Sequence, residues 1–175
     1  MKKGLKEAKE CFNSRDFEKC LSICNASLGD DDDHSLGIEK KYSWLVLKAA
    51  SLQNLEKYKE AIDCLLIASD LMPDLPIAWH GLLNNYEKLQ LINDGDNDND
   101  HVDDKNEKQI IRVLQALDKI YLRLNEPEKH YEIMAKMIDH AENAKLPDLV
   151  ISALEALLSK QPPFSPNIPP IKQFP

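Results

Sequence analysis

The sequence predicts an all-α fold: a right-handed superhelix of about four antiparallel helix pairs, with acidic loop insertions and a disordered, proline-rich tail. Three observations carry that expectation. Apolar residues recur at three- and four-residue spacing along most of the chain, as they do on one face of a helix. Proline, asparagine and aspartate interrupt these stripes at intervals suited to helical hairpins. The stretch from Ala61 to Lys88, AIDCLLIASDLMPDLPIAWHGLLNNYEK, holds two such stripes on either side of a proline.

In the first of these stripes Ala61, Leu65 and Ala68 share a helix face. Pro73 ends it, because its ring blocks the preceding turn and it has no N–H to donate. Trp79, Leu82, Leu83 and Tyr86 form the second. The two patterns, A-x-x-x-L-x-x-A…P and W-x-x-L-L-x-x-Y, match the tetratricopeptide signature at every slot but two: Leu83 stands for Gly and Leu65 for Phe. The small Ala61 and Ala68 allow close helix approach, and Trp79 and Tyr86 fill the remaining space.

This reading extends to one helical domain over 3–160, with repeats at 3–28, 38–73, 76–124 and 126–160. In the first repeat Gly4-x-x-Glu7-Ala8-x-x-Cys11 is a degenerate first helix, Asp16 an N-cap, and Phe17, Cys20, Leu21, Cys24 and Leu28 a buried stripe. The acidic run 29–35 repels itself and reads as a solvated loop. In the second repeat Trp44 and Leu47 take the Trp and Leu slots, Ala49 and Ala50 supply the close contact, and Asn54 to Lys57 turn the chain. The third is interrupted by an acidic, low-complexity insertion at 93–106 that has no apolar anchor to offset its ordering entropy. Ile110 to Leu124 then resume a helix; Pro127 starts the next, with Tyr131, Met134, Ala135 and Ile138 facing inward. Leu149, Val150, Ala153, Leu154 and Leu157 mark the last helix. Residues 161–175 hold six prolines and form an extended tail, whose P-x-x-P spacings (Pro163, Pro166, Pro169) are those that proline-reading domains accept.

Composition narrows the function. A formal charge of −8 with no basic stripe argues against direct nucleic-acid binding. No apolar run approaches the ~20 residues that span a bilayer, and Gly4 to Glu10 are too polar for a signal-peptide core. The location expected is therefore cytoplasmic, with room for a nuclear pool. Asn25-Ala26-Ser27 fits the glycosylation pattern by chance in such a compartment. Cys11, Cys20, Cys24 and Cys64 occupy core slots and lack zinc-ligand spacing. Asp96, Asp98 and Asp100 with Glu107 have calcium-loop spacing, but His101 stands where glycine makes the sharp turn and Asp103 at the apolar position. No metal or cofactor is expected. No glycine-rich phosphate loop, nucleophile elbow or zinc-peptidase motif occurs, and His130 and His140 read as solvated helix residues, so no enzyme is expected.

Surface recognition remains. In a stack of helical hairpins the first helices line the concave face. On them Lys9, Asn13, His80, Asn84 and Lys88 are polar and lie off the buried stripe, which makes them the candidate groove residues. Several segments go beyond generic repeats: Ala78-Trp79-His80-Gly81-Leu82 with Asn85-Tyr86-Glu87-Lys88, LKEAKE at Leu5 to Glu10, and RDFEKCLSICN at Arg15 to Asn25. With these, the chain resembles the amino-terminal repeats of the superkiller (Ski) complex scaffold subunit, over roughly Leu5 to Leu158. The resemblance implies a non-catalytic scaffold in an assembly of an RNA helicase and WD-repeat proteins that assists the cytoplasmic RNA exosome in 3′-to-5′ mRNA decay. That family's subunits are many times longer. The likeness is thus to a bridging arm, without the carboxy-terminal repeats that hold the helicase. The alternative is a free-standing tetratricopeptide adapter or cochaperone that binds a peptide in its concave groove.

Overall fold

The computed structural model describes residues 2–29, 37–96 and 104–160. These segments form α1 (Lys2–Asn13), α2 (Phe17–Leu28), α3 (Ile38–Asn54), α4 (Tyr58–Leu71), α5 (Pro76–Asp96), α6 (Asp104–Leu124), α7 (Pro127–Asn143) and α8 (Pro147–Lys160). There is no strand among the described residues. Each helix packs against its successor, and α3 also touches both α1 and α5. The first helices of the first three pairs therefore lie side by side, as in a tetratricopeptide-type stack.

Starts and stops follow local chemistry. Asp16 caps α2 by accepting from the Lys19 backbone N–H at 3.2 Å. Proline opens α5, α7 and α8, where a missing N–H costs nothing. Four connections share one turn. Arg15, Glu56, Asn125 and Lys145 are left-handed, with φ of 62°, 59°, 55° and 55°. The residue after each donates its N–H to a carbonyl five residues back: Asp16 to Cys11, Lys57 to Leu52, Glu126 to Tyr121 and Leu146 to Ala141. The connection from α6 to α7 is thus as tight a hairpin as those inside the expected pairs. The α4–α5 link differs: Pro73 interrupts it, and the Trp79 indole N–H donates to the Pro73 carbonyl at 2.9 Å.

The core has two parts. Ala8, Cys11, Cys20, Cys24 and Trp44 form one, under α1 and α2. The larger runs from Tyr42 and Leu45 through Leu82, Leu117 and Met134 to Ala153. Gly4, in the first repeat's Trp slot, leaves room for Trp44, whose ring would lie 3.7 Å from a β-carbon there. Trp79 is half-buried against the larger cluster. All four cysteines are free and buried. Burial pushes the Cys24 thiol up to about 12, so it packs as a neutral side chain.

The structure departs from the sequence expectation in four places. Helix claims both ends of the expected 93–106 insertion, since α5 runs to Asp96 and α6 starts at Asp104; 97–103 lie outside the described residues, as do most of the acidic run (30–36) and the tail (161–175). The α7 stripe is His130, Ile133, Met134, Met137 and Ala141, with Ala135 exposed, because His130 is buried despite its polarity. His130 and His140 are consequently not solvated; each pairs with a carboxylate. Leu154, expected inside, is 43% exposed, since among the described residues α8 packs against α7 alone.

Leu82→Ala, at a fully buried site, should lower unfolding free energy by about 2–5 kcal/mol in urea titrations. Leu66→Ala, on the exposed face of α4, should stay within about 0.5 kcal/mol. Glu56→Gly relieves a left-handed residue and should stabilise by roughly 0.5–1 kcal/mol, the relief exceeding the added chain entropy.

Candidate interaction surface

The five candidate residues lie on two of the first helices, α1 and α5. Lys9 and Asn13 are one turn apart on α1, and both are exposed. His80, Asn84 and Lys88 occupy successive turns of α5. Because α3 lies between these helices, the five candidate residues form two separate groups. Lys88 is exposed and Asn84 half-buried, while the His80 ring is hydrogen-bonded to the Tyr121 hydroxyl of α6. Burial holds His80 below the ordinary imidazole value, Glu132 opposing and Lys136 and Lys129 reinforcing that shift. Lys129 also stands over the Tyr121 ring, 5.3 Å from its centroid.

Beside this group, α5, α6 and α7 meet through polar side chains that simple hydropathy reading missed. Glu107 is fully buried on α6. Its Oε1 accepts from Gln90 of α5 at 2.7 Å, and its Oε2 lies 2.8 Å from Nδ1 of His140 on α7. Glu87 of α5 reaches Lys136 at 3.6 Å and His140 Nε2 at 3.9 Å. Asn106 donates to the Tyr86 carbonyl at 3.1 Å. These bonds tie α7 to α5 although the two backbones stay apart. Lower on the same seam, Nδ1 of buried His130 lies 2.6 Å from Asp118 Oδ1. Within α3 and α5, Asn85 Nδ2 bonds Gln53 Oε1 at 3.2 Å and the Gly81 carbonyl at 2.7 Å.

A signal for these residues was present. Glu107 begins the stripe Glu107-Ile110-Leu114-Leu117-Tyr121, and His130 begins His130-Met134-Met137-Ala141. A polar residue in phase with an apolar stripe marks a buried polar contact.

Both Glu107 oxygens are engaged, by Gln90 and His140. Asp98, Asp100, His101 and Asp103 lie outside the described residues. Among the described residues no group of three His, Cys, Asp or Glu side chains is placed to hold a metal ion, and no helix is long and apolar enough to cross a membrane. The described concavities are shallow: about 480 Å³ at the α7–α8 turn and about 310 Å³ between α2 and the α3–α4 turn.

No family model matches the chain. Tetratricopeptide repeat protein 37 of Xenopus laevis is 28% identical over 141 residues, 81% of this chain and 8% of the relative. Superkiller complex protein 3 of Homo sapiens is 28% identical over 93 residues, 53% of this chain and 6% of the relative. The chain is tetratricopeptide-like in fold and resembles superkiller complex protein 3. It spans less than a tenth of the length of either relative.

The α5–α6–α7 seam should give stability a characteristic pH dependence. Hydrogen bonding to Glu87 and Glu107 raises His140 above the ordinary 6.5 against the effect of burial. Its contribution is therefore complete below pH 6.5 and lost as pH rises through the raised value. Hydrogen bonding to His140 lowers Glu87 below the ordinary 4.5. That contribution is complete above pH 4.5 and lost as pH falls through the lowered value. His80, lowered by burial, acts with the sign opposite to His140, so the useful readout is a difference. The Tm advantage of the parent over His140→Gln should be largest between pH 4.5 and 6.5 and should shrink in alkaline buffer, as thermal melts at fixed ionic strength would show.

Proposed function

We propose that the chain is a non-catalytic scaffold segment of a superkiller-type assembly, in contact with helicase, WD-repeat or exosome-associated subunits in the cytoplasm. In this reading it contributes to 3′-to-5′ mRNA decay by holding proteins together. The supporting observation is the alignment of α1, α3 and α5 into one continuous face, in a chain resembling a protein named for the superkiller complex. In this reading the face carries Lys9, Asn13, His80, Asn84 and Lys88; Lys9, Asn13 and Lys88 are exposed, Asn84 is half-buried and His80 bonds Tyr121. An extended peptide or partner helix would lie across it, its carboxylates meeting the lysines and its amides meeting the asparagines.

Affinity purification of the tagged chain from cytosol tests the reading. Recovery of RNA helicase, WD-repeat and exosome subunits is expected. Recovery of chaperones in their place would favour a free-standing adapter and overturn the assembly assignment. The triple variant His80→Ala/Asn84→Ala/Lys88→Ala should reduce that recovery severalfold while retaining the parent's helical circular dichroism. Undiminished recovery would remove α5 from the contact surface.

A further inference from the structure

His140 stands between two carboxylates of unlike burial, each on a different helix. Its Nδ1 lies 2.8 Å from Oε2 of Glu107 on α6, which is fully buried. Its Nε2 lies 3.9 Å from Oε1 of Glu87 on α5, whose side chain is 32% exposed. Lys136, one turn earlier on α7, reaches the same Glu87 oxygen at 3.6 Å. With His140 protonated, two cations face two carboxylates and the cluster is neutral. The third neighbour, α8, carries Asp148 and Glu155, which are exposed. The two attachments of α7 differ in kind. It packs closely along α6, whereas its backbone does not touch α5 and polar side chains centred on Glu87 and His140 bridge the gap.

We propose that His140 is a proton-operated clasp: charged, it fastens α7 to both α5 and α6, and neutral, it lets go of α5 alone. An imidazolium has two N–H groups and can serve both carboxylates; the neutral ring has one. That one stays on Nδ1, because Glu107 has no water to take its place and an unsatisfied buried acceptor bears its full desolvation cost. Nε2 then turns a lone pair toward Glu87, which can move into solvent. The ion pair left to Glu87 is with Lys136, itself 41% exposed, and such pairs hold weakly. The α5–α7 link therefore loosens while the apolar packing on α6 keeps α7 in place.

The two carboxylates, Glu87 first, raise His140 above its ordinary 6.5 against the effect of burial. Release accordingly falls on the alkaline side of that value. In acid the same link is undone from the other partner, as Glu87, lowered by His140 below its ordinary 4.5, takes up a proton. The clasp is shut across the middle of the pH range and open at both ends.

The test measures helix separation in the full chain by double electron–electron resonance. Nitroxides go on Leu91→Cys of α5 and Ala135→Cys of α7, both at exposed positions. A second pair, Gln115→Cys of α6 with Ala135→Cys, reports α6–α7. The native thiols are buried, so labelling is directed to the new ones. Between about pH 6 and about pH 9 the α5–α7 distance should lengthen by a few ångström and broaden, and the α6–α7 distance should hold. The midpoint should coincide with the titration of the His140 ring nitrogens followed by ¹⁵N resonance. His140→Gln and, separately, Glu87→Gln should each remove the pH response. An α5–α7 distance that ignores pH, a response that survives in either variant, or equal lengthening of both pairs would overturn the proposal.

Discussion

Helices nest closely in this chain because the residues where they meet are small. Ala8, Cys20, Cys24, Ala61, Ala68, Ala78 and Ala141 are all completely buried. Gly81 shows the constraint most directly: a β-carbon there would stand 2.9 Å from both Leu65 methyl carbons. Axes held this close, typically about 8–10 Å apart, leave spaces that Leu52, Leu82, Leu114 and Leu117 fill. The exposed face of the first helices inherits its spacing from these contacts. A partner on this face would meet a surface whose geometry is set from beneath, and loosening one crossing would move the proposed recognition residues even where they never touch it.

The seam among α5, α6 and α7 follows a different rule. Its contacts are directional: Gln90 and His140 on the two oxygens of Glu107, and Glu87 between Lys136 and His140. Buried charges surrender hydration, so such groups add little net stability over well-packed apolar residues. They discriminate against misalignment, since sliding α7 by one turn would take His140 away from the fully buried Glu107. Where small residues set the distance between helices elsewhere, hydrogen bonds here set the register.

Legibility in the sequence divided along that same line. The helix start at Phe17 depends on the Asp16 cap, and the start at Pro127 and the stop before Pro73 on the N–H that proline lacks; these were readable. The buried Cys20, Cys24, Ala61 and Ala68 followed from spacing alone. The inward face of α7 was misread because His130 looked like a surface residue, and its partner Asp118 is a helix away. Glu107 was read with the acidic run that precedes it, although its periodicity belongs to Ile110 and Leu114. Of the proposed recognition residues, the sequence could place His80, Asn84 and Lys88 on one helix, but not the bond from His80 to Tyr121, which depends on how α6 returns along α5.

The division of the core into two clusters has an optical consequence. The chain has only two tryptophans, and they fall on opposite sides of that division: Trp44 with the first pair, and Trp79 against the remainder. Each indole therefore serves as a local fluorophore for one portion of the stack. Loosening of α1 and α2 would shift the emission of Trp44 while leaving that of Trp79 in place, so partial unravelling could be followed without attaching any dye.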